Sequence, residues 1–214
     1  RVVKALNTMG DGDAVFIETD VSNAEQVEKM ASETLARFGQ IDILINNAGW
    51  VANDLFLNKP VSDFEKEIAI NLWGPINCIR AVAPAMIERS YGKIITIGSD
   101  AGRVGEYQEA VYSACKGGVN LLSKALAREF GKNGLNVNVV SPGLTLPENP
   151  DDAGDDSLWH KDSHQSRIFQ NEEVLKKVVR RYPLRRPGVP NDIVPIVLLL
   201  ASDKSSYITG QVIS

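Results

Sequence analysis

Hydrophobic and polar residues alternate along this chain in blocks that predict β-strands and α-helices in turn. Short apolar runs of strand length are separated by longer segments whose apolar residues recur at helical spacing. Strands are predicted at 14–19, 41–45, 93–98, 135–140 and 208–214. Strands that alternate with helices predict a parallel sheet covered by helices on both faces, which is the α/β class.

Helices are predicted at about 22–38, 63–87, 110–131 and 190–201. Ser22 is predicted to cap the first helix, with Glu25 completing a capping box and Gly39 ending the helix. Gly117 and Gly118 would each weaken a free helix by roughly 1 kcal/mol relative to alanine. We therefore expect close packing at these two glycines, against a partner helix or a cofactor.

Composition describes an ordinary globular protein. The sequence has 214 residues, of which 43% are hydrophobic and 23% are charged, and it predicts one domain over 1–214. A net charge of -4 and a pI near 5.3 argue against nucleic-acid or acidic-membrane partners, which require a basic face. No apolar run approaches the ~20 residues that span a bilayer. Cys78 and Cys115 lie in helical contexts, so we expect buried thiols and a reducing, cytoplasmic location.

Three residues suggest proton transfer beside a reacting alcohol or ketone. Tyr112 and Lys116 stand four residues apart, and Ser99 precedes the tyrosine by thirteen residues. On a helix, side chains at i and i+4 lie on one face, so the Lys116 ammonium is expected close to the Tyr112 phenol. A free phenol has a pKa near ~10, and a fixed cation beside it lowers that pKa. Ser99 follows a predicted strand, where its hydroxyl can hydrogen-bond a substrate oxygen.

Each of these residues, taken alone, has a more common structural role. A tyrosine four residues before a lysine usually packs on the lysine stem, and a serine after a strand usually caps a helix or forms a turn. Further residues near predicted strand ends change this balance, because the ends of parallel strands meet at one edge of a sheet. They are Asn46, Asn47, Ala48 and Gly49 after the strand at 41–45, and Pro142 with Gly143 after the strand at 135–140; Asn71, within the predicted helix at 63–87, completes the set.

Together these residues resemble the short-chain dehydrogenase/reductase family, whose Asn-Asn-Ala-Gly, Ser…Tyr-x-x-x-Lys and Pro-Gly motifs occur here in order over nearly the whole chain. The resemblance implies an oxidoreductase that interconverts a secondary alcohol and a ketone with a nicotinamide cofactor. Tyr112 would be its acid/base and Ser99 the hydroxyl that orients the substrate. Lys116 would lower the tyrosine pKa and bind the nicotinamide ribose, and Asn71 would hold a water in a proton relay.

The resemblance also implies where the cofactor binds. Asn47, Ala48 and Gly49 would form the turn against its ribose and phosphates, where small residues let the backbone approach closely. Asp20 and Val21 would lie beside the adenine. The remaining contacts would come from Tyr112, Lys116, Pro142, Gly143 and Thr145. NAD is favoured by the resemblance, and NADP is left open because the residue that selects between them belongs to a strand missing from this sequence.

The fold that the resemblance implies is a single Rossmann-like doubly wound parallel sheet. Its first strand, glycine-rich turn and helix normally hold the cofactor pyrophosphate. This sequence instead opens at Arg1 in a segment typical of the end of a helix, and residues 10–13 are interpreted as an ordinary loop. We therefore expect the first β-α-β unit to be absent, the chain to be incomplete at both ends, and one sheet edge and apolar face to be exposed.

Residues 144–190 depart from the regular alternation and, by the resemblance, would form a substrate lid. The lid would begin with an acidic loop that contains Asp151, Asp152, Asp155 and Asp156. A basic segment at 176–181 is interpreted as a solvated helix face, with a contact to a phosphorylated or coenzyme A substrate as the alternative. His160 and His164 are interpreted as surface histidines, and no metal site is predicted.

The substrate is indicated only by a narrower likeness. Around Gly49, Ser99 and Tyr112 the sequence is similar to dehydrogenases of alicyclic hydroxyacyl-coenzyme A compounds, such as 2-hydroxycyclohexanecarboxyl-coenzyme A. This implies a small-molecule alcohol or ketone and suggests a coenzyme A thioester. The segment 190–201 is apolar around most of a helix, more than one sheet face would cover, which predicts a homo-oligomer, a dimer or a tetramer.

Two alternatives from other functional classes stay open. The chain is a catalytically silent subunit of a hetero-oligomeric dehydrogenase if the phosphate-binding loop is truly absent. It is an epimerase or dehydratase on the same scaffold if the cofactor is held tightly without net redox change. The first alternative predicts no cofactor binding, and the second predicts no net change in nicotinamide absorbance.

Overall fold

The computed structural model describes residues 2–9, 12–149, 151, 153–154 and 157–214. Its sheet has four parallel strands in the order β1-β2-β3-β4, with β2 and β3 in the middle. The strands are β1 (Ile43–Asn46), β2 (Gly92–Ile97), β3 (Leu135–Val140) and β4 (Val212–Ile213). The predicted α/β class with a parallel sheet is therefore confirmed.

The helices fill the connections between these strands. In chain order they are α1 (Val2–Leu6), α2 (Ala24–Phe38), α3 (Val61–Ile68), α4 (Gly74–Glu88), α5 (Ala101–Val104), α6 (Ala110–Phe130), α7 (His164–Phe169), α8 (Glu172–Val179) and α9 (Pro190–Ala201). A π-helical turn, Ala69–Trp73, joins α3 to α4, and single 3-10 turns follow α6 and α9. No helix in the described ranges is long and apolar enough to cross a membrane.

Helices cover both faces of the sheet, as a doubly wound arrangement requires. Successive residues of a strand point to opposite faces. On one face Ile94 of β2 packs in a core with Met86 of α4 and Ala127 of α6. On the other face Ile95 packs with Leu200 of α9.

The predicted strand at 14–19 is wrong. These residues form no strand, and Phe16 is 77% exposed. A strand exists only when a neighbour completes its hydrogen bonds, and in the described part of the chain the sheet ends at β1. The apolar pattern of this segment therefore has no partner to pair with. Gly10 and Asp11 of the predicted preceding loop lie outside the described residues.

The strand predicted at 41–45 is shifted and more exposed than a central parallel strand. It runs over Ile43–Asn46, and Ile43 and Ile45 are 42% and 46% exposed. β1 is the edge of the sheet, so the face that carries these two side chains is not covered by the helices that enclose β2 and β3. The expected exposed edge and apolar face are thus present in the structure.

Of the two predictions about the ends of α2, the first is wrong and the second is confirmed. Asn23, not Ser22, caps α2, because its side chain accepts a hydrogen bond from the Gln26 amide. The Ser22 amide and hydroxyl instead donate to the Asp20 carboxylate. Gly39 ends α2 as predicted, with a left-handed backbone at φ 78°.

The helix predicted at 63–87 is two helices separated by the π-turn. The extra residue of a π-turn changes which side chains share a face, and such turns occur often at functional sites. The helix predicted at 110–131 is confirmed as α6. Its glycines are packed as expected: a Cβ on Gly117 would lie 3.2 Å from the Gly102 carbonyl oxygen, and one on Gly118 would lie 3.2 Å from Leu72 Cδ1.

Candidate active site

The segments that follow β1, β2 and β3 lie together at the carboxyl ends of these strands, because all three strands are parallel. Two backbone hydrogen bonds hold the ends of β2 and β3 together. The Gly98 amide donates to the Val140 carbonyl at 2.7 Å, and the Asp100 amide donates to the Pro142 carbonyl at 3.0 Å. Both neighbours of Ser99 are therefore held by backbone hydrogen bonds, and Ser99 lies at the carboxyl ends of the strands, where parallel sheets usually bind their ligands.

Asn71 is fully buried in the π-turn and fastens the segment that follows β1. Its Nδ2 donates to the Trp50 carbonyl at 2.6 Å and to the Glu67 carbonyl at 2.9 Å. Its Oδ1 accepts from the Trp50 amide at 3.2 Å. A side chain thus satisfies both backbone groups of Trp50, as a neighbouring strand would.

Lys116 and Tyr112 lie on the same face of α6, as their spacing predicted. The Lys116 ammonium is 5.5 Å from the centroid of the Tyr112 ring. It donates at 2.9 Å to the carbonyl of Ile97, which is the last residue of β2. Since an ammonium has three N–H donors, two of them remain for other partners.

The phenol is not acidified in the way the sequence suggested. Burial raises the pKa of Tyr112 to about 12, a hydrogen bond with Ser99 lowers it, and the carboxylates of Glu109 and Glu67 raise it further. Burial also lowers the pKa of Lys116 to about 8. The spacing gave the shared face correctly, but burial is the largest cause of both pKa shifts.

The Ser99 hydroxyl makes hydrogen bonds both to the start of α5 and to the Tyr112 phenol. Its hydroxyl oxygen accepts a hydrogen bond from the Ala101 amide at 3.1 Å, so part of its role is the turn-forming one that serines commonly have. The same hydroxyl is hydrogen-bonded to Tyr112. Ser99 and Tyr112 are therefore held side by side.

The turn predicted to bind the cofactor, residues 47–49, lies against the buried side chains of Asn71 and Lys116. A Cβ on Gly49 would lie 3.2 Å from Asn71 Oδ1 and 3.6 Å from Lys116 Nζ. Asn47, Ala48 and Gly49 are exposed. The turn therefore presents exposed backbone beside the lysine ammonium, and a large side chain at Gly49 would crowd Asn71.

Asp20 and Val21 lie at the other side of the π-turn. Val21 packs so closely on Gly74 that a Cβ there would be 2.8 Å from Val21 Cγ2. Asn77 of α4 donates to the Val21 carbonyl at 3.0 Å. The Asp20 carboxylate is used locally by Ser22, so it stabilises the turn before α2.

The segment after β3 is held by the predicted lid. The Tyr182 hydroxyl accepts from the Leu144 amide at 3.2 Å, and its ring lies 3.1 Å from where a Cβ on Gly143 would stand. The Thr145 hydroxyl donates to the Gly143 carbonyl at 3.2 Å, and Thr145 also forms a parallel bridge with Gly188. Both ends of the span 144–190 thus meet beside Pro142.

Within that span α7 and α8 form a small helical unit. Trp159 packs edge-on against Phe169, with ring centroids 5.4 Å apart. His164 is exposed at the start of α7, and the described residues hold no group of three or more His, Cys, Asp or Glu arranged to bind a metal. The basic segment is only partly helical, since α8 ends at Val179. Asp152, Asp155 and Asp156 of the predicted acidic loop lie outside the described residues.

Four polar residues beside the tyrosine were not identified from the sequence. Lys59 and Glu67 form a buried ion pair, and they bind the carbonyl and the amide of Ala52 respectively. Asn53 hydrogen-bonds Glu109, whose carboxyl pKa is raised to about 7 by burial first and then by Glu106. The only signal available was that an acid stands directly before α6, because the partners come from distant parts of the chain.

The chain is similar to several known proteins. The model of a protein family described as Enoyl-(Acyl carrier protein) reductase matches residues 1–214. The 3-oxoacyl-[acyl-carrier-protein] reductase FabG of Staphylococcus aureus is 35% identical over 212 residues, which are 99% of this chain and 79% of that protein. The 3-oxoacyl-[acyl-carrier-protein] reductase of Synechocystis sp. is 33% identical over 201 residues, 94% of this chain and 73% of that protein. A solved structure provisionally described as a gluconate dehydrogenase from Agrobacterium tumefaciens matches with a TM-score of 0.85 at 28% identity, over 99% of this chain and 77% of that one.

Proposed function

The chain belongs to the short-chain dehydrogenase/reductase family of NAD(P)-dependent oxidoreductases. We propose that it interconverts a secondary alcohol and a ketone beside Tyr112 of α6, at the carboxyl ends of the parallel strands. One observation carries the proposal. The Lys116 ammonium lies beside the exposed backbone of Gly49 and also near the ring of Tyr112, whose phenol is hydrogen-bonded to the Ser99 hydroxyl. In this proposal the three groups act on one reacting oxygen as an acid/base, a hydrogen-bond donor and a cation.

Tyr112 exchanges the proton with the substrate oxygen. With a pKa raised to about 12, the phenol is protonated at neutral pH, so it is ready to donate its proton to a ketone oxygen during reduction. Ser99 holds the same oxygen through its hydroxyl and stabilises the charge that develops there. The reverse reaction, oxidation of the alcohol, requires the phenolate and therefore becomes faster as the pH rises.

Lys116 and Asn71 support the tyrosine. The carbonyl of Ile97 fixes the lysine ammonium in place, and the two remaining donors are available to a ribose hydroxyl. Asn71 fixes Trp50 and thus the turn from Asn47 to Gly49. In this proposal the two residues connect the phenol to solvent through bound water and ribose.

The residues present fit a nicotinamide cofactor, because the exposed backbone of Gly49 lies beside the lysine ammonium, whose Nζ would be 3.6 Å from a Cβ built on that glycine. Asn47, Ala48, Gly49 and Lys116 would hold the nicotinamide ribose and phosphates, and Pro142, Gly143 and Thr145 would line the other side of the ring. The bound cofactor supplies the hydride acceptor or donor. NAD is the proposed cofactor, with NADP as the alternative to be tested beside it.

A hydroxyacyl or oxoacyl thioester is the proposed substrate class. The likeness to alicyclic hydroxyacyl-coenzyme A dehydrogenases supports it, and two relatives are named as reductases of 3-oxoacyl groups on acyl carrier protein. The segment 144–190 is proposed to cover the bound substrate, since Tyr182 already ties it to the Gly143 loop. A cytoplasmic homo-oligomer is proposed as well, because α9 leaves Val194, Leu198 and Leu199 exposed.

The test is a panel of 3-oxoacyl and hydroxyacyl thioesters and simple cyclic alcohols, each with NAD(H) and NADP(H), followed by nicotinamide absorbance. We expect net oxidation or reduction with at least one thioester. Substrate conversion without a net absorbance change would instead support the epimerase or dehydratase alternative. Failure to bind either cofactor in a fluorescence titration would support the silent subunit.

A further inference from the structure

Lys59 and Glu67 form an enclosed ion pair, with side chains only 2% and 0% exposed. Lys59 lies just before α3 and Glu67 lies in the last turn of that helix, so both belong to one short stretch of the chain. Together they bind the two backbone groups of Ala52. The Glu67 carboxylate accepts from the Ala52 amide at 3.2 Å, and the Lys59 ammonium donates to the Ala52 carbonyl. The pair therefore acts on a residue outside the helix that carries it.

This part of the fold does not require an ion pair for its stability. Two charges lose their hydration when they are buried, and replacing such a pair with apolar side chains of similar size is often neutral or stabilising. The burial is more unfavourable here, because Glu67 Oε2 is a buried acceptor without a partner among the described residues. Apolar side chains would fill the same space, but they could not bind an amide and a carbonyl. The distinctive contribution of the pair is thus to fix the backbone of Ala52.

The bound backbone belongs to a segment, residues 49–54, that meets α6 at two points. At its start, a Cβ on Gly49 would lie 3.6 Å from the ammonium of Lys116, which is itself 5.5 Å from the centroid of the Tyr112 ring. At its end, the last amide of the segment donates to the Gln108 carbonyl at 3.3 Å, two residues before α6 begins. The segment therefore runs past the first turn of α6, which carries the tyrosine.

Two separate anchors hold this segment against α3 and the π-turn. Asn71 binds both backbone groups of Trp50, and the ion pair binds both backbone groups of Ala52. A Cβ on Gly49 would stand 3.2 Å from Asn71 Oδ1, so the Asn71 anchor is the one beside the proposed cofactor turn. The ion pair anchors the part of the segment that continues from there toward Gln108.

We propose that Lys59 and Glu67 are positioning residues, which hold the segment 49–54 in place as a wall of the substrate site beside Tyr112. The inference rests on the proposed function, because the reacting oxygen must lie at the tyrosine. A displacement of about 1 Å in such a wall can reduce catalysis by about a hundredfold, since the substrate leaves its reactive geometry. Asn71 continues to hold the cofactor turn when the pair is removed. Loss of the pair therefore impairs the reaction of the substrate more than the binding of the cofactor.

The experiment removes the pair without leaving a buried charge. Lys59→Met/Glu67→Leu fills the space with apolar side chains, so it should fold, but Ala52 loses both partners. With NADH and NADPH in turn, we expect kcat/KM for ethyl acetoacetate to fall by roughly tenfold or more, while the Kd of the reduced cofactor changes by less than about threefold in a fluorescence titration. Lys59→Met/Glu67→Gln restores an acceptor for the Ala52 amide and should recover part of the lost kcat/KM.

Hydrogen exchange at the Ala52 amide gives a readout that needs no turnover. The Glu67 carboxylate binds this amide in the wild type, so its exchange should become roughly tenfold faster or more in Lys59→Met/Glu67→Leu, while amides within α6 keep their protection. Unchanged exchange at Ala52 would count against the inference. Failure of the wild type to reduce ethyl acetoacetate with either cofactor would count against the proposed function instead.

The matched control applies the same two replacements to an exposed ion pair of α2. Lys29→Met/Glu33→Leu should leave kcat/KM within about twofold of the wild type. Wild-type kcat/KM in Lys59→Met/Glu67→Leu, or an equal loss in the control, would overturn the inference. A loss of cofactor affinity as large as the loss of kcat/KM would overturn it as well, because it would indicate a general loosening of the fold.

Discussion

Gly102 lies so close to Lys116 that a Cβ built on the glycine would stand 2.4 Å from the lysine carbonyl carbon. The contact presses α5, which follows Ser99, against the first half of α6. Only a residue without a side chain permits it. A glycine outside the proposed catalytic set therefore permits the close approach of the segment after Ser99 to Lys116.

Gly102→Ala should force α5 away from α6. We expect a loss of about 1–3 kcal/mol in the free energy of unfolding and a fall in turnover, because Ser99 and Lys116 move apart. Urea denaturation and kcat measure the two effects. Gly131→Ala is the matched control: it stands at the C-cap of α6 with helical φ and ψ and no atom within 4 Å of the added methyl, so it should be neutral or slightly stabilising. Equal effects of the two substitutions would contradict the close contact.

Tyr112→Phe removes the hydroxyl that we propose as the acid/base and leaves the ring in place. Turnover should fall below a few per cent of the wild type, while the unfolding midpoint changes little. Steady-state rates and thermal melts check the two halves of this prediction. Tyr107→Phe, on an exposed ring in the preceding loop, should keep wild-type rates. Substantial activity in Tyr112→Phe would remove the tyrosine from its assigned role.

Asn71→Ala breaks three hydrogen bonds and leaves both backbone groups of Trp50 without their partner. Because these groups are at least partly buried, we expect a loss of about 2–4 kcal/mol in stability, with a loss of turnover as the turn at Gly49 loosens. Denaturant titration gives the first number. Asn77→Ala removes a bond to the Val21 carbonyl at 3.0 Å and a longer one to the Ser22 carbonyl at 3.5 Å, and it should cost about 1 kcal/mol. A stability loss no larger than that of Asn77→Ala would show that Asn71 does not anchor Trp50.

The ion pair of Lys59 and Glu67 is buried, with side chains 2% and 0% exposed. Removing one partner strands the other charge in the interior, so Lys59→Met should destabilise the protein by about 3–5 kcal/mol. The double variant Lys59→Met with Glu67→Leu should recover part of that loss. The exposed pair of Lys176 and Glu172 is the control, and Lys176→Ala should change stability by less than about 0.5 kcal/mol. Additive single and double effects in a denaturant cycle would refute coupling between the two buried charges.

Glu109 makes stability depend on pH in a direction opposite to that of most carboxylates. Burial, followed by the neighbouring Glu106, raises its pKa from 4.5 to about 7 in the folded chain. Between these two values the native state holds a proton that the unfolded state has released, so the stability from this group falls as the pH rises from 4.5 to 7. Glu109→Gln should match the wild type near pH 4 and exceed it at pH 8 by about 1–2 kcal/mol, after allowance for partial exposure. Urea unfolding across this range checks the prediction, and a constant difference between the two proteins would contradict it.

The amino-acid sequence alone was enough to predict those features of the fold that depend on residues close together in the chain. The period of its apolar residues gave α6 within one residue of its observed end, and it gave β2 and β3 almost to the residue. Gly39 ended its helix as predicted, since the signal for a helix end lies within a few residues. The i,i+4 spacing likewise placed Tyr112 and Lys116 on one face of α6. All of these features depend on neighbours in sequence.

What the sequence determined by itself was therefore the order and kind of most elements and the spacing of the candidate catalytic residues. The tertiary structure alone decided that 14–19 has no strand to pair with, that a π-turn carries Asn71, and that Glu109 meets Asn53. It also decided the direction of the Tyr112 pKa shift, because burial depends on what packs around a phenol and not on the residue four positions away. Pairing, burial and electrostatic fields join residues that are far apart in the chain, whereas periodicity and spacing describe only residues that are near one another.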